Sequence, residues 1–498
     1  MSALGQRLKY LCTSTNGLVL TAVAIIGLLS ALMSTLSGPM AEWGIREITI
    51  KVLGMKLVEV EREGRVVLLY HSLFMPVVAI LVYFITANVR IKENWDAFIN
   101  STVTVGYITA VVSGIGFAYF GHSPVLHGFM LVGLSLVFFA GVMLAVALWP
   151  WNREYYLPSN SPYAHTRRGV DLERVAFWLV TVATLGSAAL GAWAGSYYGS
   201  GFETVLAEDI VRQPLKTTLE LAVIGHLHIM LSLIGIAVIL LLGRWFDFRG
   251  FWHRLAMPLM IIGTITMTLG CWGVVSFQNI AHIIIYTGSL FALTGALFLV
   301  IFGLPALVKD NLDQLKIKNA SAGQKIKALL YDPLKFGALW QIIFMNFTTT
   351  FVGIFMAIKL DKIFRAWPLR EERIELAGHW HILASIIAIA LLLYFVDQLN
   401  LKGLPRRLFG WTVIIGADLA FAAMTVFAMK RLFVSEYMQQ PVVNLTMLLS
   451  EIGLGVTMVS LALLLVWRLV DLFKADGLWK QELQEADTSS FTGKPASM

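Results

Sequence analysis

The sequence predicts an all-α membrane protein with twelve transmembrane helices in three pseudo-symmetric four-helix arcs. Its 498 residues are 57% hydrophobic and only 14% charged, with a mean hydropathy of +0.74. That is more apolar surface than one water-soluble core can bury. The apolar residues fall in runs of about twenty, the length that crosses a bilayer as a helix. Three histidine-bearing segments recur at nearly equal intervals along these runs.

In chain order, the runs begin near Gly17, Val66, Asn100, Pro124, Val175, Thr217, Leu255, Ile280, Phe336, Leu376, Leu408 and Val442. The first lacks the small-residue cleavage site of a signal peptide and is followed by an amphipathic, charged stretch from Ser37 to Gly64, so it reads as a retained helix. With the amino terminus inside, 24 of the 38 basic residues fall on inner segments and 14 on outer ones. The positive-inside rule then places both termini in the cytoplasm of a bacterial or archaeal inner membrane. Residues 1–476 form the membrane domain, and the polar stretch 477–498 reads as a flexible cytoplasmic tail.

Composition also excludes several classes. The net charge of +7 is spread over loops with no single basic patch, which argues against nucleic acid as a partner and for membrane lipid. Cys12 and Cys271 lie near the amino terminus and inside the seventh run, so neither a disulfide framework nor a thiolate metal site is implied.

The repeat is visible in Tyr70-His71-Ser72-Leu73-Phe74-Met75, Gly225-His226-Leu227-His228-Ile229-Met230 and Gly378-His379-Trp380-His381-Ile382-Leu383. The leading histidines are 155 and 153 residues apart, on the second, sixth and tenth helices. All three helices run from outside to inside. Their histidines lie about 6 to 16 Å from the outer end at 1.5 Å per residue. Residues two apart on a helix point about 200° apart, so His-x-His can serve two cofactors on opposite faces. One intramembrane histidine is as readily a packing residue as a ligand. Five at one depth in a repeat favour ligation, and apolar, glycine-rich surroundings with few acidic or cysteine neighbours favour a flat macrocycle over a small-ion cage.

On these residues the chain, from about Gly17 to Arg468, resembles the catalytic subunit of the heme-copper oxidase superfamily, which includes cytochrome c oxidase subunit I and the nitric oxide reductase large subunit. The resemblance implies two hemes of b type: His71 and His381 as axial ligands of a low-spin heme, and His379 as proximal ligand of a second. It places Lys430 and Arg431, ahead of Tyr437 and Pro441, where the family binds heme propionates. It further implies copper or non-heme iron held by His226 or His228 together with His282. Here the chain departs from the pattern, because Ile283 stands where the family has a second histidine, and the sixth helix shows no evident proton-handling residue beside the metal. Glu220 lies six residues before His226 and nearer the outside.

Three readings follow. The first is a respiratory-chain oxidoreductase that takes electrons from quinol or a cytochrome c, works with further respiratory-complex subunits, and reduces oxygen or nitric oxide at the second center. The second is a bis-histidine diheme electron carrier, in which His228 takes the other side of the heme on His379. The third is a transporter with histidines as proton relays and no heme. Asp418 and Glu451 lie deep in apolar runs, where structural pairing and proton transfer are both open. His122 and His127 flank a short outer loop, and His165 and His253 are expected to be cytoplasmic and solvated.

Overall fold

The computed structural model describes residues 2–37, 43–56, 62–92, 94–121, 123–164, 166–196, 217–359, 362–367, 369–399 and 401–484. Among them are no strands and twelve helices long and apolar enough to cross a membrane. These are α1 (Thr15–Ser37), α2 (Arg62–Asn88), α3 (Trp95–Phe120), α4 (Pro124–Ala147), α5 (Leu172–Gly195) and α6 (Thr218–Trp245). They continue with α7 (Gly250–Gly273), α8 (Gln278–Gln314), α9 (Pro333–Lys359), α10 (Leu369–Gln398), α11 (Gly403–Phe433) and α12 (Gln439–Phe473). Most start a few residues before the apolar run that predicts them, because the polar first turn lies toward the interface while its backbone is already helical.

The chain divides into two compact units, one comprising Met1–Tyr155, Phe177–Ile210 and Leu461–Met498, the other Tyr156–Ala176 and Val211–Ser460. In the first unit, α3 and α4 approach backbone to backbone at Gly106 and Gly133. A Cβ on Gly133 would lie 2.4 Å from the Ala110 nitrogen, so no larger residue fits. In the second unit the same device joins α7 to α8 at Gly263 and Gly288, and α11 to α12 at Gly416 and Gly453. The close pair thus recurs on the third and fourth helices of each predicted repeat. From α3 to α7 to α11 the glycines are 157 and 153 residues apart, nearly the spacing of the histidine segments.

In the first unit, the short helix Ala3–Thr13 is held against the carboxy-terminal end of the chain. Arg468, only 1% exposed, donates to the Tyr10 hydroxyl at 2.6 Å and to Glu482 at 2.8 Å, while Tyr10 donates to Glu482 at 2.6 Å. Burial, with the Glu482 carboxylate beside it, holds the Tyr10 hydroxyl well above its ordinary pKa. Trp479 is 2% exposed and packs with Tyr10 and Leu483. The expectation of a flexible tail from residue 477 is therefore corrected over 478–484, which are helical and docked. Apolar Trp479 and Leu483, four apart on one helical face, supply the reason. Residues 485–498 lie outside the described residues.

The second unit is tied by ion pairs at one end of its helices. Arg406 on α11 bridges Asp332, before α9, at 2.8 Å and Asp397 on α10 at 2.6 Å, and the Trp245 indole donates to the same Asp397 at 2.7 Å. Arg244 pairs with Glu173 at 3.0 Å. His253 departs from its expected solvation, since it is 2% exposed in the first turns of α7, edge-on to Phe248 and Tyr163. It is buried because the loop before α5 folds back over it: the Tyr163 hydroxyl donates to Asp247, and burial followed by that carboxylate pushes Tyr163 up to about 12.

Candidate heme site

The site lies in the second unit, where α6, α9 and α10 converge. Gly225 lets α6 come close to α7, for a Cβ there would lie 2.6 Å from the Cys271 carbonyl oxygen. One turn further along α6, the His228 Nδ1 lies 2.9 Å from the carbonyl oxygen of Ile224. A carbonyl can only accept, so Nδ1 carries a proton, and Nε2 is left to accept from the Trp380 indole. Fixing one ring nitrogen on a backbone carbonyl is the usual orientation of a metal-ligating histidine.

His379 on α10 faces this group, its ring centroid 6.2 Å from that of His228. Its other neighbour is α9, where the helix passes through a π-turn over Met345–Thr350 before resuming as Phe351–Lys359. Such a turn adds a residue and re-aims the following face. Gly353, just beyond it, lies against His379, and a Cβ at this glycine would be 3.2 Å from His379 Cδ2 and 3.4 Å from Nε2. Glycine therefore lets α9 pack directly against that edge of the imidazole.

Trp380 occupies the space beside both rings. Its indole N–H donates to His228 Nε2 at 2.9 Å, with the two rings nearly perpendicular at 86°. Sequence reasoning gives Trp380, between two histidines, no role of its own. The available signal was that an indole N–H at membrane depth needs an acceptor, and the aligned helix of the preceding repeat offers a histidine.

The remaining candidates are dispersed. His381, two residues beyond His379, is on an exposed side of α10, consistent with the opposite directions of His-x-His. His71 belongs to the first unit, half-buried on α2 with Nδ1 2.8 Å from the Val67 carbonyl oxygen, the same anchoring as His228. His226 is half-buried on α6. His282 is half-buried near the start of α8 and stacks on Tyr286 at 6.2 Å. Ile283 beside it is 65% exposed, turned away from packed neighbours. Among the described residues no three or more His, Cys, Asp or Glu side chains gather as a metal-binding group.

Lys430 is buried near the end of α11 with its ammonium 4.8 Å from the centre of the Phe427 ring, and Arg431 is half-buried beside it. Glu220 closes a capping box at the start of α6, accepting from the Thr217 N–H at 2.6 Å. Asp418 accepts from the Trp340 indole at 2.7 Å and the Gln341 amide at 3.1 Å, joining α11 to α9. His127, on the first turns of α4, stacks on Phe117, while His122 and His165 lie outside the described residues.

The chain matches no family model and no curated protein. Its chemistry must be argued from the residues themselves. The donor set is of a kind that suits heme: two facing imidazoles, one anchored through Nδ1, with no carboxylate or thiolate gathered beside them among the described residues. Among the described residues, His226, His228 and His282 do not gather as one group.

Proposed function

We propose that this chain is a heme-binding membrane oxidoreductase subunit of heme-copper oxidase type, passing electrons from quinol or a cytochrome c in a respiratory chain. The observation that carries the reading is the facing of His228 and His379 from two helices whose histidine segments repeat in the sequence. Heme iron, when bound, supplies reversible one-electron chemistry. His379 would hold one heme, and His71 and His381 would hold the other. The Ile224 carbonyl holds His228 in one tautomer and orientation. Lys430 and Arg431 would supply positive charge to heme propionates.

For the second heme, one observation favours the diheme carrier over the oxygen- or nitric-oxide-reducing enzyme: the described residues supply a facing histidine pair without a group of three ligands. The deciding experiment is the visible spectrum of the purified, reduced protein with and without carbon monoxide, together with metal analysis. Heme without carbon monoxide binding and without extra metal supports the carrier. Ready carbon monoxide binding with copper or extra iron supports the terminal enzyme. Absence of heme after expression with adequate heme supply overturns both and leaves the proton-relay transporter.

A further inference from the structure

Arg406 and Arg407 are consecutive on the first turns of α11, yet their surroundings are opposite. Arg406 is neutralised by Asp332 and Asp397. Arg407 has no carboxylate within ion-pair distance among the described residues, and its guanidinium carbon lies 5.3 Å from the centre of the Tyr331 ring. It stands at one end of a groove of about 330 Å³ between α11 and α12, lined by Arg407, Leu408, Trp411, Thr412, Ile415 and Val456. Leu408 is 58% and Ile415 61% exposed, so the groove is open along its length. Trp411 packs against Phe336 at 5.7 Å, which fixes one wall. From Arg407 to Ile415 is eight residues, or about 12 Å along the helix axis. The groove thus has a cation at the end near the helix terminus and an apolar trough running toward the middle of the span.

We propose that this groove is a selective binding site for an anionic phospholipid. The lipid phosphate pairs with Arg407, and one acyl chain lies along Leu408, Trp411, Ile415 and Val456. Charge complementarity selects the occupant. A guanidinium matches a phosphate with two parallel hydrogen bonds, and basic pockets between spanning helices recognise anionic headgroups. A zwitterionic lipid would fill the same trough but bring a second cation near Arg407. Any lipid-facing groove is wetted by acyl chains; preference for a headgroup needs the unneutralised arginine.

Native mass spectrometry of the delipidated full chain, titrated separately with phosphatidylglycerol and phosphatidylcholine of identical chains, tests this. The wild type should retain phosphatidylglycerol at least fivefold more strongly than phosphatidylcholine. Arg407→Gln should erase that preference and Arg407→Lys should keep most of it. Val456→Trp, which fills the trough and leaves Arg407 in place, should weaken both lipids. Equal retention of the two lipids by the wild type, or an undiminished preference in Arg407→Gln, overturns the proposal. So does displacement of the lipid by millimolar inorganic phosphate with Val456→Trp unaffected, which would mark a free-anion site. A protein subunit crosslinked from position 415 in place of lipid also overturns it.

Discussion

Replacing Trp380 by Phe removes one atom pair of the site and keeps a ring in place. The indole N–H to His228 Nε2 bond, 2.9 Å long, is a neutral hydrogen bond between two helices. Such bonds contribute about 0.6 kcal/mol on average and up to about 1.7 in membrane proteins. Leaving a buried acceptor without its partner costs about 1–3 kcal/mol in all, the bond's own contribution included. Trp380→Phe should therefore cost about 1–2 kcal/mol in a reversible unfolding titration in mixed micelles. In a double-mutant cycle with His228→Ala the coupling should be about 1 kcal/mol. The same substitution has a second readout in the heme-loaded protein. With the indole gone, His228 Nε2 has lost its competitor, and about 1 kcal/mol is roughly a fivefold change in equilibrium. If His228 ligates the second heme, carbon monoxide affinity of the reduced protein should fall by about that factor in Trp380→Phe. His228→Ala should raise it above wild type. Zero coupling in the cycle would refute the bond. Measurable coupling with unchanged carbon monoxide affinity would refute ligation by His228 and leave the bond structural.

Two further substitutions test other parts of the chain. His71→Ala and His381→Ala should each abolish the same low-spin heme absorption and electron paramagnetic resonance signal, since two imidazoles are needed to hold that iron six-coordinate; survival of the signal in either variant removes the pair. Glu482→Ala leaves Arg468, 1% exposed, without its closest carboxylate, so the chain should lose about 3 kcal/mol of stability. A shift in the unfolding midpoint corresponding to less than about 1 kcal/mol, the scale of a surface pair, would mean that the carboxy-terminal contact is dispensable.

The twelve spans were legible in the sequence because the bilayer imposes one length and one hydropathy on each. The histidine pattern was legible because a repeat and a helical period act on residue types alone. What depended on register between helices was not. Trp380 could be seen, but its acceptor could not, because the choice of His228 is set by how α10 slides against α6. Glu220 carried a readable signal, Thr217-x-x-Glu220 at the start of an apolar run, which is a capping box. His253 was placed in water because charged residues surround it in the chain. Its burial comes from Tyr163, ninety residues earlier, and no local pattern reports a contact of that kind. Trp479 and Leu483 show the opposite case: two apolar residues four apart in a polar tail were a local signal for docking.

The number and direction of the histidines bear on which second center the fold can hold. Repeats two and three each offer two histidines at the shared depth and repeat one offers a single residue, His71. If His71 and His381 serve the low-spin heme and His379 the second, the open question is the use of His226 and His228. These lie two apart on α6, so their side chains leave the helix about 200° apart and cannot converge on one ion without distorting it. Of the two, His228 is the one beside His379. A metal opposite His379 would therefore draw on His228 and at most one residue of α8, where His282 stacks on Tyr286 and position 283 is an exposed isoleucine. That is two imidazoles against the three used in the superfamily that the sequence resembles. A heme needs only one further imidazole to be six-coordinate; His228 has its Nδ1 anchored, and its Nε2, which here accepts from the Trp380 indole, would exchange that bond for iron. If a second heme is bound, the helix period, and not merely the missing histidine at 283, weights its site toward bis-histidine electron transfer.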